Sequence, residues 1–276
     1  MCKSTGENSS IRQRFIHLSD LHIRDRAREF SRAVRITETI AGHYEGTPVL
    51  VTGDVTDSGD PDQMDCARSL LDLLAPTNPV LVVPGNHDYS WKGIVNQAGA
   101  WRQWVERLGS PLGFDGVPEK PWLTGDLPGG VDGLGVLEVG DVAYFGVDSG
   151  DPTNRVHTAR GYVSERLATR LKQELAARKG KCRVVFLHHH PFNDGPFMKL
   201  VGADGFLDAV RDNCEMVLFG HDHHLGVWRR REGVPLMVAS HKTTGTVFEH
   251  HLMINIIEAS RGDDGEWSFW HRLELA

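Results

Sequence analysis

Short apolar runs alternate with amphipathic stretches along this 276-residue chain. Residues 15–18, 48–52 and 79–83 are apolar runs of strand length, and helical spacing follows each one. Ala27, Phe30, Val34 and Ala41 form the first stripe, and Met64, Ala67, Leu70, Leu71 and Leu74 the second. Trp101, Trp104, Val105 and Leu108 form the third, which reads as core packing rather than a stacking platform. This β-α-β-α-β-α opening predicts a parallel sheet with right-handed crossovers. Residues 110–135, rich in Gly and Pro, read as a long surface loop or small insertion. Strands are then expected at 135–139 and 142–147, followed by a helix carrying Leu167, Leu171 and Leu175. Residues 183–187 and 216–219 are apolar strands flanking a short helix near 206–210, and residues 227–273 read as several antiparallel strands. Neither a repeat nor a linker interrupts the pattern. The simplest reading is a polar tail over 1–13 and one domain of two packed sheets over 14–276.

Composition narrows the class. With 40% hydrophobic and 24% charged residues the chain is globular rather than disordered. A chain this long can bury roughly three quarters of its unfolded surface, so a bound metal would serve chemistry rather than hold the fold together. A formal charge of −7 argues against a nucleic-acid partner, which calls for a basic footprint. It leaves room for a small anion held at metal ions, whose charge dominates locally. Cys2, Cys66, Cys182 and Cys214 show no CxxC spacing and read as free thiols of a reducing compartment. Residues 1–14 contain no apolar signal segment, and no apolar run approaches the roughly 18 residues of a membrane span. The expectation is a cytoplasmic protein with no membrane partner.

Histidine changes the picture. The chain has 15, with His188, His189 and His190 consecutive and His221, His223 and His224 within four positions. The polar clusters fall directly after apolar strands: Asp20-Leu21-His22, Gly53-Asp54, Gly85-Asn86-His87-Asp88, the 188–190 run and Gly220-His221-Asp222-His223. Open α/β sheets place ligand sites along that edge. Alone, Asp-x-His arises by chance in about one such chain in three or four, and Gly-Asp is nearly uninformative. All five in this order at strand ends leave chance a negligible share. Asp, Asn and His without Cys suit borderline divalent ions such as Mn, Fe or Zn. There are enough donors for two ions, and one carboxylate can bridge them.

On these motifs the chain resembles the calcineurin-like metallophosphoesterases, and within them the bacterial cyclic-nucleotide and glycerophosphodiester phosphodiesterase branch. The resemblance covers about residues 14–260 and includes Asp148-Ser149 and Gly161 before a helix. It implies a four-layer αββα sandwich of two mixed sheets flanked by helices, with a dinuclear transition-metal centre. It also implies that Asp20, His22 and His223 hold one metal, that Asn86, His221 and a histidine of the 188–190 run hold the other, and that Asp54 bridges. His87 would stand beside the metals as general acid or as donor to the phosphate. Relatives commonly carry His-His-Pro-Pro where this chain has His188-His189-His190-Pro191. The family ligand directly follows the strand, which selects His188, and strand alternation turns His189 away.

Other conspicuous residues receive plainer readings. Asp88 is expected to orient the His87 loop, because ligating groups need outer partners. Asp57 and Ser58 read as a turn or helix cap. His224, His241, His250 and His251 read as surface or strand histidines, His157 as a residue of a polar stretch, and Arg229 to Arg231 as a solvated strand end. The function expected is a metal-dependent phosphodiesterase cleaving a small diester, with hydroxide at the metals as nucleophile and His87 assisting the leaving alkoxide. A phosphomonoesterase or nucleotide pyrophosphohydrolase could use the same centre. Acidity argues against a nuclease, and a complete donor set argues against a non-catalytic protein-binding scaffold.

Overall fold

Two β-sheets lie face to face in the computed structural model, which describes residues 12–24, 28–114, 122–123, 133–151, 158–245 and 252–276. Cys2, Ala27, His157, His250, His251 and most of the 110–135 segment lie outside the described residues. In the first sheet β1 (Arg12–Leu18), β2 (Val49–Thr52) and β3 (Val80–Val83) run parallel. β14 (Met253–Arg261) pairs antiparallel with β1, and β15 (Trp267–Leu275) with β14. The second sheet has the order β12 (Gly226–Arg231), β13 (Val234–Ala239), β11 (Met216–Phe219), β9 (Cys182–Phe186), β7 (Val142–Val147), β6 (Leu134–Val139). Two small ribbons, β4 (Ser90–Trp91) with β5 (Val95–Asn96) and β8 (Gly161–Tyr162) with β10 (Leu200–Val201), stand beside the main sheets.

Side-chain alternation produces the layers. Along the second sheet Tyr144, Cys182, Val184, Phe186, Met216 and Leu218 face the first sheet and share its core. Their neighbours Ala143, Phe145, Val185, Val217 and Phe219 face the opposite way, onto a second core. That second core is closed by α4 (Glu165–Ala177) and α5 (Ala203–Val210), through Leu167, Leu171, Leu175, Phe206 and Val210. The first is closed by α1 (Arg28–His43), α2 (Pro61–Asp72) and α3 (Ala100–Arg107). The result is a four-layer αββα sandwich. β2 and β3 are buried along their whole length, which is why their sequences are unbroken apolar runs rather than alternating ones.

Helix starts follow local chemistry. Asp60 caps α2 by accepting from the Asp62 amide at 2.9 Å, and Pro61 fills the first helical position, where no N–H is needed. Ser164 caps α4, its hydroxyl accepting from Leu167 N at 3.1 Å. The α2 cap is therefore Asp60, not Asp57 or Ser58. Those two instead donate their amides to Gln63 Oε1 in the preceding turn, at 3.0 and 2.9 Å.

Three sequence expectations need correction. The buried face of α1 carries Ala33, Ile36, Thr37 and Ile40, while Phe30, Val34 and Ala41 only border it. Both stripes have helical spacing, and contact with the sheet decides between them. The C-terminal third is not wholly antiparallel, because β13 pairs parallel with β11 and only β12, β14 and β15 are antiparallel additions. Of the Trp stripe, Trp104 is fully buried, whereas Trp101 is half-buried and donates its indole N–H to Asp148 Oδ2 at 3.2 Å.

Phe186 is fully buried between the sheets and stacks on Trp122 at 5.4 Å. Phe186→Ala is expected to lower unfolding free energy by about 3–5 kcal/mol, from lost burial and the cavity left behind. Denaturant unfolding of the two proteins checks this.

Candidate metal centre

Every motif read from the sequence sits just beyond a strand, and the parallel strands of both sheets end at one edge. β1 leads into Asp20 and His22, β2 into Asp54, and β3 into Asn86 and His87. From the second sheet, β9 leads into His188, and β11 into His221 and His223. The donor atoms meet in sets of Asp20, His22 and His223, of His22, Asp54 and His87, and of Asp54, His188 and His221.

Asp54 is the residue common to both halves. Its Oδ2 lies 3.2 Å from His188 Nε2 and 3.9 Å from His22 Nε2. Asp20 Oδ1 lies 3.3 Å from His223 Nε2 and 4.0 Å from His22 Nε2. Asn86 Oδ1 lies 3.1 Å from His188 Nε2, while its amide nitrogen donates to Gly93 O at 2.9 Å. That outer hydrogen bond turns the oxygen, not the nitrogen, toward the cluster. His221 Nε2 lies 3.2 Å from Met198 O, so its Nδ1 faces His188 Nε2 at 3.1 Å. His188 Nδ1 is anchored at 2.7 Å on Thr52 O. Outer partners of this kind fix which ring nitrogen faces a metal.

The donor set fits transition ions. Imidazole nitrogens face one another at 3.1 Å in two places, His22 against His223 and His188 against His221. Lone pairs converge there unless a proton or cation lies between them. Asp20 Oδ1 is buried without a hydrogen bond, a costly state for a carboxylate oxygen that has no ion to meet. Nitrogen and oxygen donors with no thiolate match Mn, Fe or Zn. The residues present can hold two such ions.

Backbone strain is concentrated in the same shell. Asp20, His22, Asp54, His221 and His223 all have positive φ, between 47° and 77°. Residues with a Cβ rarely adopt that region, and such strain persists only where surrounding structure fixes it. Gly85 and Gly220 make the shell possible, because a Cβ on the first would overlap the Asp54 carboxylate, and on the second Ser19 and Asp20. Ser19 is fastened in turn to the loop after β13. Its amide donates to Thr243 Oγ1 at 2.9 Å and its carbonyl accepts from Thr243 N at 3.0 Å.

Electrostatics suit ligation, which needs charged carboxylates and neutral imidazoles. Burial opposes the charge on Asp54, but His188 and His87 nearby hold it well below the usual carboxylate range. Burial drives His22 down to about 3 and His221 down to about 4. His188 and His223 are the exceptions: against the effect of burial, the Asp54 charge pushes His188 up to about 9, and Asp20 beside it holds His223 above its ordinary value.

His189 and His190 are not in the cluster. His189 is buried beside Ser149, its Nδ1 2.8 Å from the hydroxyl, with Gly161 packed on its ring. His190 packs edge-on against Phe219 and Trp228. The geometry thus separates His188 from its two neighbours. His224 is exposed, and His241 is buried in the loop that follows β13. Arg229 and Arg230 are exposed, but Arg231 lies 3.6 Å over the Phe192 ring. Asp57 is the site residue that its turn-like sequence concealed. Its carbonyl lies 2.7 Å from His87 Nδ1, and its carboxylate takes Arg24 at 2.8 Å and lies 3.9 Å from His22 Nδ1. The Asp-Ser-Gly context gave only a turn signal; proximity to His87 exists only in the fold.

A face-to-face pair of α/β sheets that aims carboxylate, imidazole and amide donors at one point defines a metal-binding α/β protein. Residues 13–225 match the family model described as calcineurin-like phosphoesterase, and the chain belongs to that family. Its fold is similar to calcineurin-like phosphoesterase YfkN from Bacillus subtilis, at 13% identity and TM-score 0.56, covering 96% of this chain and 91% of that one. It is also similar to GAP50, the anchor in the inner membrane complex of Plasmodium, at 14% identity and TM-score 0.55, covering 96% and 89%. A search of curated proteins returns no match. Family and donor cluster together support a metal-dependent phosphoesterase. Among the described residues, no helix is long and apolar enough to cross a membrane.

Asp88 holds the centre from behind. It is fully buried and accepts from Gly85 N at 2.8 Å, Thr56 N and Oγ1 at 2.9 Å, and Val55 N at 3.4 Å. Asp88→Ala leaves those donors without their acceptor and is expected to cost about 2–4 kcal/mol of stability. Metal affinity should fall about 10–100-fold. Thermal unfolding and zinc titration check the two effects.

Proposed function

We propose that this protein is a dinuclear metal-dependent phosphodiesterase acting on small diesters of cyclic-nucleotide or glycerol type. Asp20, His22 and His223 are assigned to one ion and Asn86, His188 and His221 to the other, with Asp54 between them. The observation that carries the reading is the convergence of these seven side chains from the ends of five strands in two sheets. Two ions held there would supply positive charge to the phosphate and a nucleophile at neutral pH.

His87 is assigned as the proton donor. Its amide donates to Asp54 Oδ1 at 2.9 Å, which ties the loop to the bridging carboxylate. Its Nδ1, 2.7 Å from Asp57 O, serves as donor to that carbonyl and leaves Nε2 to hold and release a proton. A diester has a poor alkoxide leaving group, for which such a proton matters. A diester also carries one negative charge where a monoester carries close to two, so it asks for fewer cations. Arg24 is engaged by Asp57, and Lys242 is a half-buried cation within reach of the Glu29 and Asp20 charges. The ions would therefore provide most of the positive charge, which suits the diester. The free thiols of Cys66, Cys182 and Cys214 fit a reducing, cytoplasmic setting.

About two ions per chain are expected by elemental analysis, with activity lost on chelation and restored by Mn or Zn. A fully active metal-free protein overturns the reading. Asp54→Ala should lower occupancy of both ions, whereas His87→Ala should keep metal and slow turnover about 10²–10⁴-fold. Equal metal loss in both variants refutes this division of roles.

Substrate class is checked with matched aryl leaving groups, one preparation and one metal. The phosphodiester is expected to show the higher kcat/KM. A clear preference for the monoester overturns the phosphodiesterase assignment and leaves the dinuclear hydrolase in place.

A further inference from the structure

The loop after His87 does not leave the centre; it turns back over it. β4 and β5 form a short ribbon whose tip, residues 91–94, packs on the catalytic loop. Gly93 O accepts from Asn86 Nδ2 at 2.9 Å. A Cβ on Gly93 would overlap His87 Nε2 and Cδ2, so the ribbon tip borders the nitrogen assigned to proton delivery. The ribbon is fixed on several sides. Lys92 N donates to Ser58 Oγ at 3.3 Å, Gly59 N to Ser90 O at 3.3 Å, and Asn96 Nδ2 to Asp151 O at 3.3 Å. Ser90 is buried against Asn86 O, which by alternation turns Trp91 outward.

Trp91 is 51% exposed, a large apolar surface to leave in water on a ribbon so firmly held. The Lys92 ammonium lies 5.1 Å over its ring. One residue, Lys92, lies between Trp91 and Gly93, whose Cα atoms are therefore at most about 7 Å apart. A ribose separates its phosphate from its base by a distance of the same order. Among the described residues, the other large exposed aromatic near the centre, Phe197, is 65% exposed and precedes Met198, on the His221 side. The proton leaves from His87, so the leaving group belongs on the Trp91 side.

We propose that the 90–96 ribbon forms the leaving-group subsite, with Trp91 stacking a planar ring of the departing alcohol and Lys92 supplying a cation beside it. The inference rests on the hydrolase reading above and narrows its substrates to phosphoesters with a ring-bearing leaving alcohol. Stacking of this kind tolerates many rings and is lost when the aromatic is removed.

The test compares kcat/KM for adenosine 3′,5′-cyclic monophosphate and for glycerophosphocholine on the metal-loaded protein. Trp91→Ala is expected to lower the ratio of the two by about 10–100-fold, and Trp91→Phe to retain most of it. Trp270→Ala should leave the ratio in place, since Trp270 pairs with Glu258 far along the sheet from the centre. An unchanged ratio in Trp91→Ala, or a comparable loss in Phe197→Ala alone, overturns the proposal. Binding gives a readout independent of turnover. Adenosine 5′-monophosphate should quench tryptophan fluorescence of the zinc-loaded wild type more than of Trp91→Phe, and glycerol 3-phosphate should not discriminate. If the wild type hydrolyses no ester of either kind, the hydrolase reading fails. Equal quenching in both proteins defeats the subsite.

Discussion

Asp54 has to remain charged while fully buried, and much of the centre follows from that demand. An isolated carboxylate in such a place costs several kcal/mol and would take up a proton instead. Here the His87 amide donates to one oxygen and the His188 ring lies against the other. Gly85 stands where any side chain would collide with the carboxylate. The second buried acid behind it, Asp88, feels the consequence. Burial and then the Asp54 charge push it up to about 6, and four donors from three residues offset part of that. One charge is kept available at the front of the site by a second acid fastened to the backbone behind it.

The strand-end position of the donors was legible because it depends on local order alone. An apolar run, then a polar cluster, repeats five times, and a parallel sheet brings such ends to one edge. Alternation also separated His188 from His189, since adjacent residues leaving a strand point to opposite sides. What could not be read depends on contacts between distant segments. Asp57 looks like any turn aspartate until β2 and β3 place its carbonyl beside His87. The α1 stripe has two equally periodic versions, and only the sheet beneath selects Ala33, Ile36 and Ile40. The parallel pairing of β13 with β11 needs a crossover through β12, which a run of alternating strands does not announce.

Strain and support are distributed in a consistent way. Five of the nine non-glycine residues with positive φ among the described residues are residues assigned as ligands, and hydrogen-bonded loops fasten them. The 243–244 loop shows the pattern: Thr243 clasps Ser19 and Thr244 Oγ1 donates to Leu21 O at 3.1 Å, on either side of Asp20. Sequence distance between these segments exceeds 200 residues. The geometry of Asp20 and His22 is therefore set only when the C-terminal part of the second sheet is in place.

The centre also joins the two sheets. The first supplies Asp20, His22, Asp54 and Asn86, and the second supplies His188, His221 and His223. The two sheets share one apolar core and the second sheet has a further core with α4 and α5, so the layers are packed together apart from any ion. Yet the facing imidazoles at 3.1 Å gain nothing from each other without a cation or proton between them. An ion that binds this arrangement and not the unfolded chain would stabilise the folded state by RT ln(1 + c/Kd), with c the free ion concentration. The stabilisation would act at the strand-end edge of the junction between the sheets. The same ions that would serve phosphoester chemistry would thus also fix the spacing of the two strand edges on which the positions of Asn86, His87 and the ribbon above them depend.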